Sequence, residues 1–177
     1  MYIPRFLKTT MTRAADQFPA VILTGPRQSG KTTFLQQEFD DATAYASLDD
    51  PFTRDFARHD PQGFLAAFGD KTVILDEVQY VPELFPYLKI RIDQDRRRYG
   101  KWLLTGSQQF SMMKNVTESL AGRIAILNLL PFSILEFRKE GDDALENSIW
   151  NGGYPEPALA GEKRDLWVSS YIQTYLE

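Results

Sequence analysis

Short apolar runs alternate along the chain with stretches whose apolar residues recur at helical spacing. Ala20 to Thr24 is a brief, almost wholly apolar run ending in Gly25-Pro26, the pattern of a strand buried on both faces. The spacing predicts a helix over 30–39, a strand at Tyr45 to Leu48 closed by Asp49-Asp50-Pro51, and one or two short helices over 52–69. A third strand follows at Thr72 to Asp76. A helix over 82–99 carries Leu84, Leu88 and Ile92 on one face, with Pro82 near its start and Gly100 as its stop. Trp102 to Thr105 and Ile124 to Leu129 complete five strands, and Phe6, Leu7, Met11, Ala14 and Ala15 form the apolar stripe of a helix before the first. This alternation predicts an α/β domain with a mostly parallel sheet.

From Pro131 the texture changes. Helical patterns at 131–140 and 162–177 flank a turn-rich stretch, Asn151-Gly152-Gly153-Tyr154-Pro155-Glu156-Pro157, which reads as a connector. The last pattern stops at Glu177 without a capping Gly or Asn. The expected division is a core over 1–130, including the N-terminal helix, and a helical connector with the start of a truncated C-terminal domain over 131–177.

Composition narrows the chemistry. The chain has 177 residues, no cysteine and one histidine, His59. Disulfides, thiolate metal sites and a cysteine nucleophile are excluded, and a histidine-based metal cluster cannot be built. A formal net charge of -4 makes the chain a poor bulk binder of polyanions. The N-terminus lacks the apolar core of a secretory signal, and the longest apolar stretch, Ile124 to Leu135, is broken by Asn128 and Pro131. A cytoplasmic protein without a membrane partner is expected.

Gly25-Pro26-Arg27-Gln28-Ser29-Gly30-Lys31-Thr32 joins the first strand to the following helix and matches G-x-x-x-x-G-K-[ST] in full. Glycines let backbone N–H groups wrap a phosphate, and the helix N-terminus adds a favourable dipole. Lys31 supplies a charge for the β- and γ-phosphates and Thr32 a hydroxyl for Mg²⁺, with Thr33 next in line. The third strand ends in Asp76-Glu77. At a strand's carboxyl end beside a phosphate loop, Asp76 suits a hydrated Mg²⁺ and Glu77 suits a general base for an attacking water. The expected substrate is a nucleoside triphosphate. The fourth strand ends in Thr105-Gly106-Ser107-Gln108, read either as groups that orient water or sense the γ-phosphate, or as a turn with Ser107 as helix N-cap. Gln79 has two readings as well, a γ-phosphate contact or the start of a loop.

These residues resemble an AAA+-type P-loop ATPase. Gly25 to Thr32 is similar to Walker A, Val73 to Glu77 to Walker B, and Thr105 to Gln108 falls where a sensor-1 motif would. The stretches GPRQSGKTT, LDEVQ, LLTGSQ, SLAGR and GGYPEP are similar, more narrowly, to a family of bacterial and archaeal AAA ATPases whose members carry an additional C-terminal domain. The resemblance implies a five-stranded parallel sheet with helices on both faces, the sensor strand lying between the other two motif strands. It implies ATP and Mg²⁺ as cofactors, and a role for Arg123, just before the fifth strand, as an arginine finger serving a neighbouring subunit of a homo-oligomer. Hydrolysis would then drive a conformational change in a protein or nucleic-acid partner. The alternatives are a nucleotide-gated or nucleic-acid-associated module with little turnover, and a small-molecule kinase, whose Arg-bearing lid is represented here only by Arg123. The basic stretch Arg91, Arg96, Arg97, Arg98 and Lys101 reads as a solvated helix end or as a nucleic-acid contact. Tyr154 reads as a packing residue near adenine or as part of a turn.

Overall fold

The computed structural model describes residues 2–39, 43–107, 116, 118–137, 144–160 and 164–176. Five parallel strands form one sheet in the order β2-β3-β4-β1-β5: β1 Ala20–Thr24, β2 Ala44–Ser47, β3 Val73–Asp76, β4 Trp102–Thr105 and β5 Ile124–Asn128. The three central strands are buried at every position, as apolar runs sandwiched by helices must be. The edge strands β2 and β5 are only partly covered.

Helices close both faces. On one side lie α1 (Leu7–Ala15) and α2 (Lys31–Glu38), where Met11, Phe34 and Leu35 meet Val21, Leu23, Ile74 and Leu103. On the other lie α3 (Pro51–His59), α4 (Pro61–Ala66) and α5 (Leu84–Gln94), with Phe64, Leu65, Phe85, Leu88 and Ile92 packed against Ile22, Leu75 and Leu104. Each inward residue thus belongs to the face that strand alternation assigns it. An Asp-Pro pair starts both α3 and α4. Asp50 accepts from Thr53 N–H at 2.8 Å and Asp60 from Gly63 N–H at 2.8 Å, with proline in the first helical turn.

Expectations about element bounds are corrected. The helix expected over 82–99 stops at Gln94, because Ile92 is its last buried residue and Asp95 leaves the helical region at φ -139 and ψ 68. Of the basic stretch, Arg96, Arg97, Arg98 and Lys101 lie beyond this helix end. Lys101 is buried and donates to the carbonyls of Gly69 and Lys71, and Arg98 is tied to Asp70. At 131–137 there is only a turn: the Glu136 carboxylate accepts from Ser133 N–H at 2.9 Å and is drawn to Arg5, and 138–140 lie outside the described residues. The connector expected over 151–157 shrinks to Gly152-Gly153-Tyr154, between α6 (Ala144–Asn151) and α7 (Pro155–Ala160). Phe132 N–H donates to Gly153 O at 2.6 Å, and a side chain on Gly153 would collide with the Phe132 carbonyl, so this link is pressed against the turn after β5. The final helix α8 (Arg164–Tyr171) continues as a π-helical turn, Ile172–Leu176. Among the described residues, no helix is long and apolar enough to cross a membrane.

Candidate functional site

In a parallel sheet every strand delivers its carboxyl end to the same edge. Here Thr24, Asp76 and Thr105 close β1, β3 and β4 at that edge, side by side in the order β3-β4-β1. Residues 25–30 leave β1 and enter α2 through a tight loop. Three of its residues have positive φ: Gly25 at 143°, Gln28 at 60° and Gly30 at 88°. Only glycine adopts the first without strain, and a Cβ there would also strike the Leu129 carbonyl. Gly30 caps α2, whose first-turn N–H groups face the loop mouth.

Lys31 is buried, 5% exposed, and its ammonium donates to Pro26 O at 2.8 Å and Gly25 O at 3.2 Å. Burial pulls its pKa below the ordinary lysine value, against the opposing pull of Glu77 and Asp76. Ser29 is fully buried and its hydroxyl has no hydrogen-bond partner among the described residues. Pro26, Arg27 and Gln28 form the outward tip, while Thr33 is exposed on the first turn of α2.

Asp76 is the hub. It is 6% exposed, and its Oδ1 accepts from Thr32 Oγ1 at 2.8 Å and from Thr105 Oγ1. Its Oδ2 accepts from Tyr45 Oη at 3.0 Å, a contact that raises the phenol's pKa together with the larger effect of burial. Glu77 follows with φ 57, a left-handed conformation that is costly for a glutamate and turns the chain sharply after β3. Its N–H donates to Thr105 Oγ1 at 3.1 Å, and its carboxylate accepts from the Gln79 amide. Gln79 Oε1 in turn accepts from Ser107 N–H at 3.3 Å. Ser107 is buried, its hydroxyl without a hydrogen-bond partner among the described residues, and Gln108 lies outside them.

The structure therefore gathers Gly25, Ser29, Gly30, Lys31, Thr32, Asp76, Glu77, Gln79, Thr105 and Ser107 around one edge of the sheet. Arg123 is elsewhere. It stands at the amino end of β5, where its carbonyl accepts from Ala20 N–H, and its guanidinium holds Asp93 through two bonds of 2.7 and 3.0 Å. The length of the sheet separates it from the phosphate loop of its own chain.

Three contributors, all in the N-terminal segment, carry no signal in the residue pattern. Arg5 is 6% exposed; its Nη1 donates to Ser29 O at 3.1 Å, its Nε pairs with Glu136 at 3.3 Å, and its guanidinium lies 4.5 Å from the Phe132 ring centre. Tyr2 and Lys8 both bind Glu38 at the far end of α2, so the N-terminal segment runs the length of that helix. Between them lies a cavity of about 180 Å³ with Ile3, Phe132, Pro155 and Leu159 on its sides and Gly30 and Thr33 at its floor. Tyr154 does not line it; its ring packs on Trp167 and Tyr171. Tyr171 Oη reaches the Arg27 carbonyl at 3.3 Å, and Arg27 lies 5.8 Å from the Tyr175 ring centre.

The donor set fits a triphosphate with a hard divalent cation. A glycine loop, a buried ammonium and the buried Ser29 hydroxyl, which has no partner among the described residues, suit a triphosphate, and the Asp76 carboxylate with the Thr32 hydroxyl suits Mg²⁺, which takes few protein ligands and completes its shell with phosphate and water. No cluster of three or more metal-binding side chains occurs among the described residues, so an all-protein metal cage is not what this edge offers.

Comparison with known proteins follows the same line. Residues 17–138 match the family model described as AAA domain. The chain is 33% identical over 170 residues to the uncharacterized protein Rv2008c of Mycobacterium tuberculosis, and equally to Mb2031c of Mycobacterium bovis. The alignments cover 94% of this chain but 37% of each relative, so the chain spans little more than a third of their length. Among solved structures it is similar to a Walker-type ATPase of Pyrococcus abyssi, with a TM-score of 0.61 and 15% identity over 99% of this chain and 73% of that one. RuvB of Thermotoga maritima aligns with a TM-score of 0.58 and 19% identity, covering 97% of this chain and 63% of that one. DnaA of Aquifex aeolicus, solved with AMPPCP, gives 0.58 and 14%, covering 96% and 59%. At these identities the structures speak for the fold, whereas the match over 17–138 speaks for descent, and the chain belongs to the AAA domain family.

Proposed function

We propose that this chain binds ATP with Mg²⁺ and hydrolyses it to ADP and phosphate. One observation carries the reading: the buried Asp76 carboxylate is bonded to the Thr32 hydroxyl at the foot of a glycine loop, with Glu77 beside it and the Lys31 ammonium inside the loop. The backbone N–H groups of 25–32, with Pro26, Arg27 and Gln28 at the tip, Ser29 buried within the loop and Thr33 behind, would enclose the phosphates. Lys31 would exchange the carbonyls of Gly25 and Pro26 for phosphate oxygens, which costs little because both partners are already weak acceptors beside a phosphate. Thr32 and Asp76 would hold Mg²⁺, which when bound neutralises charge on the β- and γ-phosphates. Thr32 donates its proton to Asp76 and so keeps its oxygen lone pairs for the cation. Glu77 would take the proton of the attacking water, with Thr105, Ser107 and Gln79 fixing its backbone and side chain.

The cavity between Ile3, Phe132, Pro155 and Leu159 adjoins Gly30 and is apolar on its sides, which suits a purine ring. The preference for adenine rests on the resemblance. Arg123, on the far side of the sheet, would act on the site of a neighbouring copy, and the active form would be a homo-oligomer. Residues 1–130 would constitute the ATPase core and 131–177 a connector with the start of a second domain, through which hydrolysis moves a protein or nucleic-acid partner. The reading places the chain in the cytoplasm, where nucleoside triphosphate is made. Steady-state phosphate release from wild type and Glu77→Gln tests it: equal rates would refute the hydrolase.

A second reading, nucleotide binding with little turnover, is favoured by one contact. The Gln79 amide holds the Glu77 carboxylate, so the base is occupied until that bond is released. Faster phosphate release by Gln79→Ala would support this restraint.

A further inference from the structure

We propose that Tyr45 is a positioning residue for the magnesium-binding carboxylate, through the bond from its phenol to Asp76 Oδ2. The inference deepens the function proposed above and rests on it. Asp76 is a buried carboxylate that forms no ion pair among the described residues; its side-chain hydrogen bonds come from hydroxyl groups, with the Lys31 charge nearby. Burying such a charge is costly unless its lone pairs are satisfied, so each hydroxyl is structurally significant.

The three donors are unevenly divided. Thr32 and Thr105 both bind Oδ1, whereas Oδ2 has Tyr45 alone, at 3.0 Å. Two bonds hold Oδ1 and so set the plane of the carboxylate. The phenol gives Oδ2 its one hydrogen bond among the described residues and so fixes which of its lone pairs is left for a cation. Strand geometry makes the reach natural. In the β2–β3 register Ser47 lies opposite Asp76 and Tyr45 opposite Ile74, so Tyr45 approaches diagonally, a distance that a long aromatic side chain spans. Its Cα lies on an edge strand and the side chain stays 45% exposed, so the ring also forms the outer wall of the acidic corner on the side away from β4. A shorter residue at 45 would leave Oδ2 to bulk water.

A group that orients a ligand without touching the ion acts on metal affinity, with typical losses of about tenfold on removal. The experiment is a titration of Mg²⁺ into the whole chain with a fluorescent N-methylanthraniloyl ATP, comparing wild type with Tyr45→Phe. The variant keeps the ring and loses the hydroxyl. The expected result is a rise of about tenfold in the Mg²⁺ concentration at half-saturation, with nucleotide affinity in EDTA unchanged. In an Asp76→Asn background the same change should add nothing. Unchanged magnesium dependence in Tyr45→Phe overturns the inference, as does an equal loss with and without Mg²⁺. Wild type that binds nucleotide indifferently to Mg²⁺ would instead refute the proposed function, and the inference with it.

Discussion

Arg5 Nη1 lies 3.1 Å from the carbonyl oxygen of Ser29, so the N-terminal segment is fastened to the loop between β1 and α2. The same guanidinium pairs with Glu136 and covers the Phe132 ring, joining three separate parts of the chain in one buried cluster. Replacing Arg5 by Ala leaves Glu136 buried without its cation, which for pairs of this kind costs about 3 kcal/mol. Urea unfolding should show that loss. Arg5→Met with Glu136→Gln should recover part of it, because neither charge is then stranded. Nucleotide affinity should fall in Arg5→Ala, since the Ser29 peptide loses its outside anchor.

Acid should weaken the same cluster. Burial pushes the Glu136 carboxyl upward, but the N–H groups of Ser133 and Phe6 and the Arg5 charge together hold it below its ordinary value of 4.5. A carboxyl with a lowered folded pKa contributes stability above its unfolded value, and that contribution disappears as pH falls through the folded one. Glu38, held down by Lys8 and Tyr2 against its own burial, behaves alike. The urea midpoint of wild type should therefore drop below about pH 4.5, and more steeply than that of Glu136→Gln. Parallel curves would show that this carboxyl does not carry the dependence.

Glu77→Gln keeps the shape of the side chain and removes the base. The expected outcome is a fall of about a hundredfold or more in the rate of phosphate release with ATP still bound. Lys31→Ala should lose ATP binding instead. Mixing Lys31→Ala with Arg123→Ala subunits should restore part of the activity of either alone, because each mixed interface can contain one intact loop and one intact Arg123. No recovery would argue against a shared site.

Gly25→Ala tests the loop itself. Its φ of 143° disfavours any side chain, and the added Cβ would meet the Leu129 carbonyl, which is backbone and cannot swing aside. The variant should be less stable by about 1–3 kcal/mol and bind nucleotide poorly. Gly69→Ala is the control: it too has a positive φ, 51°, but open space around it, so it should lose less stability and leave nucleotide binding intact.

The motifs from Gly25 to Thr32 and from Val73 to Glu77 were legible because their chemistry is local. A loop that wraps a phosphate needs glycine where φ is positive, and a strand that ends at a site shows its carboxylates after its apolar run. The three central strands were legible for the same reason, since burial on two faces leaves continuous apolar runs. Element ends were less so. Nothing local to Arg96-Arg97-Arg98 announces that α5 has already stopped at Gln94; the stop follows from where the last buried contact falls, at Ile92.

The sequence by itself determined the phosphate loop, the acidic pair and the alternation that makes a parallel sheet. Their identities follow from backbone conformation and charge within a few residues, where short-range sterics decide. Only the tertiary structure decided that Tyr45 reaches Asp76 across the β2–β3 register and that Arg5 crosses to Ser29 and Glu136. It also decided that Arg123 stands across the sheet from its own loop. These are partnerships between residues 24 to 131 positions apart. They arise when the whole sheet is packed and buried charges must find partners, and no period in the chain records them.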